Sequence, residues 1–241
     1  MRTIKTFGAA AVASIAGTGS AHAVTTALFE DFEDATVTYT TSPAEYSDGS
    51  QDYFTRTDGS NIGGESFTNV QGTSYFAAQD LNAETGSNAV NPSTQTFGGI
   101  DISGLTDLSF SAYFAEDDSA DGNEDWDSTT ELLVEAQIDG GGYGLIFAIQ
   151  NDGTTSNTVP QVDINLDGDG EGAVITDALT EYSAAIAGTG NTLDLRITYD
   201  MNDGDEDIAI DNVRVTGIPE PASLALLGAG GLMLLGRRRR A

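Results

Sequence analysis

The densest run of chemically useful side chains is Asp163-Ile164-Asn165-Leu166-Asp167-Gly168-Asp169-Gly170-Glu171. Oxygens at its first, third and fifth positions, then a glycine at the sixth for a sharp turn, reproduce the start of a calcium-binding loop. A hard divalent cation needs several carboxylate and amide oxygens converging on it, and this spacing delivers them. The twelfth position is Val174, so the usual bidentate glutamate is missing and Glu171 or a distant acid would have to replace it. No helices flank the run, so it is not an EF-hand. The candidate ligands are Asp163, Asn165, Asp167, Asp169 and Glu171, and the competing reading is a Gly-Asp turn that holds no ion.

Two further groups of acids stand out. Between Ala115 and Asp127 lie Glu116, Asp117, Asp118, Asp121, Glu124, Asp125 and Asp127, set around Gly122 and Trp126. So many like charges repel unless they are solvated or share a cation, and a solvated loop is the simpler of the two. Trp126 adds a second reading, because an indole beside carboxylates is also how a sugar-binding rim is built, the ring stacking on the apolar face of a pyranose. Trp126 is therefore the candidate ligand-binding residue, with Tyr143, Tyr75 and Phe76 as further stacking candidates. The last group pairs Glu30, Asp31, Glu33 and Asp34 near the start with Asp203, Asp205, Glu206, Asp207 and Asp211 near the end.

Composition removes much other chemistry. There is no cysteine, and the one histidine is His22. Thiol nucleophiles, disulfides, histidine zinc sites and histidine general bases are thus all lacking between Val24 and Gly217. The net charge is −29, and all but one of the 38 acidic residues fall in that region, against only Arg56, Arg196 and Arg214. So acidic a body repels nucleic acid and anionic lipid and suits divalent cations, high salt, or both.

The elements that must position these residues read as strands. Short alternating runs, rich in β-branched and aromatic residues and bounded by Gly, Asn, Asp and Ser, predict strands at Ala27–Phe32, Thr36–Thr40, Tyr53–Thr57, Ser74–Gln79, Leu105–Phe114, Glu131–Ile138, Tyr143–Gln150, Thr180–Ile186, Thr192–Tyr199 and Ile208–Thr216. The expected fold class is all-β, an antiparallel β-sandwich. Leu193, Leu195, Ile197 and Tyr199 should face inward, as should Leu108, Phe110, Ala112 and Phe114. Ile208, Ile210, Val213 and Val215 keep the alternation only if a bulge falls near Asp211-Asn212. Asp58–Gly72 and Asn82–Gly99 are expected as long polar loops covering one rim.

The two ends are of another kind. Arg2 and Lys5, the apolar Phe7–Ile15 and the small-x-small site Ala21-His22-Ala23 fit a cleaved signal peptide over residues 1–23, removed by signal peptidase. At the other end, 218–241, stand Pro219-Glu220-Pro221, an uncharged span from Ala222 to Gly236, and Arg237, Arg238, Arg239 and Arg240. That span would form a short transmembrane helix about 22 Å long at ~1.5 Å per residue. It falls short of the ~30 Å hydrocarbon core, and the arginines would stay on the cytoplasmic side. These three features in this order resemble the PEP-CTERM sorting signal. The resemblance implies an exosortase-type processing enzyme as partner, transient anchoring in the inner membrane, and release to the cell surface or the extracellular space beside exopolysaccharide. An ordinary C-terminal membrane anchor is the alternative.

The body, residues 24–217, carries a second resemblance. Phe29-Glu30-Asp31-Phe32 at its start and Asp207-Ile208-Ala209-Ile210-Asp211-Asn212-Val213 at its end look like the termini of jelly-roll carbohydrate-binding modules. The resemblance implies first and last strands lying side by side and a structural calcium held by Glu30 or Asp31 together with Asp211. The expected function is a non-catalytic, surface-displayed sandwich associated with extracellular polysaccharide and stabilised by Ca2+. A passive structural or adhesive protein is one alternative. A polysaccharide-degrading enzyme is the other, and it needs two carboxyls ~5–9.5 Å apart, for which Glu131 and Glu135 are the candidates.

Overall fold

The computed structural model describes residues 23–63, 65–82, 90–117, 126–154 and 157–220. The described strands are β1 (Thr25–Glu30), β2 (Thr40–Ser42), β3 (Tyr46–Ser47), β4 (Tyr53–Thr57), β5 (Tyr75–Gln79), β6 (Ser93–Asp101), β7 (Leu105–Ala115), β8 (Glu131–Ile138), β9 (Gly144–Gln150), β10 (Gln161–Val162), β11 (Thr180–Ile186), β12 (Thr192–Asp200) and β13 (Asp207–Pro219). They form two antiparallel sheets. One has seven strands in the order β11-β7-β13-β5-β4-β3, with β1 also paired to β13, and the other has six in the order β10-β9-β8-β12-β6-β2. There is no helix among the described residues. Ala21, Pro221, the apolar span and Arg237–Arg240 lie outside them, as do Asp118, Asp121, Glu124 and Asp125.

Alternation explains the core. Leu193, Leu195, Ile197 and Tyr199 of β12 and Leu108, Phe110, Ala112 and Phe114 of β7 are all buried between the sheets. Near one end Phe54 packs edge-on against Phe76 at 4.9 Å and against Tyr199 at 5.3 Å. Near the other, Phe114 stacks on Phe147 at 5.2 Å. Each such ring contributes roughly 1.5–3 kcal/mol by leaving water, so these two clusters hold the sheets together. The bulge falls where β13 needs it. The register with β7 shifts between Asp211 and Arg214, and Asn212 sits at φ 50°, so Ile210 and Val213 both face inward.

Several expectations change. Thr36–Tyr39 is a bend rather than a strand, because Glu30 accepts hydrogen bonds from the Thr38 amide at 2.7 Å and the Thr38 hydroxyl at 2.8 Å and folds the segment back. The expected loop Asn82–Gly99 contains most of β6, whose Ser93, Gln95 and Phe97 are buried beside β12. Polar residues there hid a strand: Gln95 accepts from the buried Tyr199 hydroxyl at 2.9 Å. The loop Asp58–Gly72 is a packed flap. Thr68 bridges Ala178, and Ile62, Phe67 and Val70 cover Tyr53, Tyr75, Ala77 and Ala209 on the outer face of the seven-stranded sheet. At the C-terminus β13 runs past Gly217 through Ile218 to Pro219, which lies opposite Leu105. The exposed Glu220 then donates its amide to Gly104 at 2.8 Å.

Candidate functional site

The Asp163 run is a tight loop pinched at its base, where Val162 and Ala173 share a backbone hydrogen bond and Gly170 donates to the Asn151 carbonyl at 2.6 Å. Buried Asp163 organises the turn, its carboxylate accepting from the amides of Asn165, Leu166 and Gly168. Leu166 at φ 60° and Gly168 at φ 107° let the backbone wrap around that carboxylate. Oxygens of Asp163, Asp167 and Glu171 lie within 4.8 Å of one another, while Glu171 also accepts from the Ile164 amide at 3.1 Å. Asp169 departs from the expected set. Its carboxylate lies against Gly153, where an added Cβ would stand 2.0 Å from Oδ1. Asn165 is exposed at the loop tip.

The paired termini come together as the resemblance implied. Phe29 lies opposite Arg214 and Glu30 opposite Val213. Glu30, however, spends both oxygens on Phe32 and Thr38 and is not shared with Asp211. Asp211 is fully buried and accepts from Gln71 at 2.9 Å and from Asn212 at 2.7 Å. Burial pushes its carboxyl up to about 6, those two amides oppose the rise, and Glu33 and Asp31 add to it. Glu33 is the acid that the short motif missed. It holds Thr73 and Ser74 through their amides and sits so close to Gly72 that a Cβ there would meet it at 2.4 Å.

A third acidic site joins four separated segments. Tyr53, Gln79 and Asp207 are cross-strand partners along one row of β4, β5 and β13, on the face beneath the flap. Asp117 follows in the row, its amide donating to Asp207 at 3.0 Å. From the flap, Glu65 accepts from Gln79 Nε2 at 2.8 Å and lies beside Asp117. Burial, then Asp117, push Glu65 up to about 7, with Gln79 opposing. Tyr53 Oη and Gln79 Oε1 are buried there without a hydrogen-bond partner.

The aromatic candidates divide sharply. Trp126 is 0% exposed and belongs to the core, its indole N–H donating to the Asp207 carbonyl at 3.3 Å. Its ring is thus not a stacking platform, and Tyr75 and Phe76 are buried too. Tyr143 alone of the four is partly open. The guanidinium of Arg196 lies 4.1 Å from its ring centre and is itself held by Glu135 at 2.7 Å. On the other sheet, Arg214 lies 4.7 Å from the ring centre of the exposed Phe29. The proposed carboxyl pair fares poorly. Glu131 and Glu135 are four residues apart on one strand, which separates them by ~13 Å along the chain. Glu135 is also committed to Arg196, and Glu131 to Gln150 at 3.0 Å. Both carboxylates are thus held by structural partners rather than turned to a shared cleft.

No protein-family model matches the chain, and no curated protein matches it. Among solved structures it is similar to the CBM22-1 xylan-binding domain of Xyn10C from Paenibacillus barcinonensis, with 11% identity and a TM-score of 0.43, covering 84% of this chain and 100% of that one. It is also similar to the K3 cleaved adhesin domain of Lys-gingipain from Porphyromonas gingivalis W83, with 13% identity, a TM-score of 0.41 and 79% and 98% coverage. A cyclase from Fischerella sp. TAU shows 12% identity, a TM-score of 0.48 and 82% and 99% coverage. Likeness at this level assigns no activity to the chain.

Proposed function

We propose that the chain is an exported, non-catalytic β-sandwich that associates with extracellular polysaccharide through the outer face of its six-stranded sheet, with calcium as a structural ion. The observation that carries this reading is the Tyr143–Arg196–Glu135 stack. In register with it, Thr40, Thr96, Arg196 and Glu135 form one row across β2, β6, β12 and β8. Strands ~4.8 Å apart space such hydroxyl and charged groups at about the length of one sugar ring, beside an aromatic edge. Calcium is supported by the converging oxygens of Asp163, Asp167 and Glu171, all hard ligands. Asp31, Glu33 and Asp211 are the second place for it, with Glu33 replacing Glu30. Export rests on the two ends: signal peptidase would cut after Ala23, and an exosortase-type enzyme would act at Pro219-Glu220-Pro221 once the C-terminal span is inserted.

The test is binding of the purified protein to a panel of insoluble and soluble polysaccharides, with and without chelator. Tyr143→Ala should weaken binding to the preferred glycan at least about 10-fold, the scale of one lost aromatic contact, while the melting temperature barely moves. Absence of binding to every glycan, with calcium present, would leave only a passive structural protein. Release of soluble sugar would overturn the non-catalytic assignment.

A further inference from the structure

The chain leaves the sandwich at one end of the seven-stranded sheet, and two apolar hollows lie at that same end. Pro219 closes β13 opposite Leu105, the first residue of β7, and Glu220 donates its amide to the Gly104 carbonyl at 2.8 Å. The first hollow, about 510 Å³, lies between the start of β7 and residues 185–189, where Leu108 and Ile186 are cross-strand partners. The second, about 370 Å³, lies between those residues and the β8–β9 hairpin, and it shares Ile186 and Ala187 with the first.

The surface of these hollows is apolar and open. Leu145 is 37% exposed, Ile138 and Ile146 are half-buried, and Ala185 and Ala187 face water. Asp107 is the one charged residue in either lining. Adjoining concave apolar surfaces of this size suit apolar side chains brought from elsewhere. The hollows are also fixed in shape. A Cβ added at Gly190 would stand 2.4 Å from Ile138 Cγ2, so the segment after β11 lies hard against β8 and has no slack with which to close them.

The sequence supplies an occupant within reach. Ala222–Gly236 is uncharged and holds six leucines, which water solvates poorly. The first of them, Leu224, follows Glu220 by four residues, a reach of ~13 Å at ~3.3 Å per residue. From Leu105 the first hollow lies about three residues along β7 and one strand across, ~11 Å away. Leu226 and Leu227 extend that reach toward the second. Arg237–Arg240 come after the span, and the one charge at the hollows, Asp107, is of the opposite sign.

We propose that the two hollows beside Ile186 and Ala187 are an intramolecular dock for Ala222–Leu227, the start of the apolar C-terminal span. The span's leading leucines seat there while it is outside a membrane, and the body of the protein keeps them from water. The dock needs neither a glycan nor calcium.

The test uses the full chain in detergent-free buffer and exploits its lack of native cysteine. Ala187→Cys/Leu224→Cys, oxidised with glutathione disulfide, should close an intramolecular disulfide at least about 10-fold faster than Ser50→Cys/Leu224→Cys. Ser50 is exposed on the turn between β3 and β4, at the end where β13 begins rather than where it leaves. Equal rates overturn the dock. A disulfide that joins two chains instead, and forms faster as protein concentration rises, overturns it in favour of a second copy. A measurement without cysteines gives a second decision. Ala185→Glu/Ala187→Glu changes two exposed positions, so it should leave the melting temperature in place while amides 222–227 exchange several-fold faster than in wild type; unchanged exchange overturns the dock. Both readouts are blind to glycan, calcium and export, so failure of the function proposed above leaves them decisive.

Discussion

The Asp163 loop and the cluster beneath the flap are both acidic, and they are built in opposite ways. In the loop, Asp163 satisfies three backbone amides within five residues of itself, so the turn makes its own reason to fold. In the cluster, Tyr53, Glu65, Gln79, Asp117 and Asp207 are brought together only by strand pairing and by a flap docked from elsewhere, and the Tyr53 hydroxyl and Gln79 Oε1 have no hydrogen-bond partner. The difference teaches that a ligand-like spacing can be structurally self-sufficient, whereas an assembled cluster exists only once the sheet and the flap have met.

The sharpest way to break the comparison is Trp126→Ala. The indole fills the core and supports the Asp207 backbone, so its loss should cost about 3–5 kcal/mol in urea unfolding. Amide exchange along the Tyr53–Gln79–Asp207 row should speed up with it, while the Asp163 loop keeps its protection. Equal losses at both places would show that the two regions are not independent.

Next in size is Asp163→Ala, which orphans three amides and should destabilise the metal-free protein by about 1–3 kcal/mol. Asp163→Asn retains one acceptor oxygen and should cost less. If neither variant loses stability in chelator, the loop is not self-sufficient and an ion, rather than Asp163, gives it shape.

The smallest effect is a pH dependence at the same acidic end of the seven-stranded sheet. Asp80 is pushed up to about 6 by burial, then by its hydrogen bond to Asp52 and the charges of Asp52, Asp203 and Glu206. The folded state thus holds a proton that an unfolded aspartate, near ~3.9, releases. Its contribution is complete below pH ~4 and is lost as pH rises through 6. Asp80→Asn, which keeps the hydrogen bond without the charge, should flatten the decline in melting temperature between pH 5 and 8. Solvent screening holds the effect to about 1 kcal/mol or less. An unchanged slope would remove Asp80 as its source.

Much of the sandwich was legible because period-2 alternation is local. Glu131–Ile138 and Thr180–Ile186 follow the expected bounds, and the bulge at Asp211-Asn212 was demanded by Ile210 and Val213 needing the same side. Ser93–Asp101 was not legible, because its inward Ser93 and Gln95 are polar, and Gln95 meets its partner, the Tyr199 hydroxyl, only across the sheet. Which early acid lies near Asp211 was left open between Glu30 and Asp31 for a related reason, and Asp31 and Glu33 are the ones that act on it. Glu30 and Glu33 are equally acidic, and only the bend at Thr38 and the approach of Thr73 decide which carboxylate is spent where.

By itself the sequence determined the all-strand body, which faces of its main strands turn inward, and the absence of thiol and histidine chemistry from that body, since each follows from residue type or from neighbours two positions apart. The tertiary structure alone decided that Trp126 is core, that Asp58–Gly72 packs on a sheet face, and that Glu65 meets Asp117. Contacts between such distant segments depend on where loops land after the sheets have formed, and residue spacing along the chain carries no record of that.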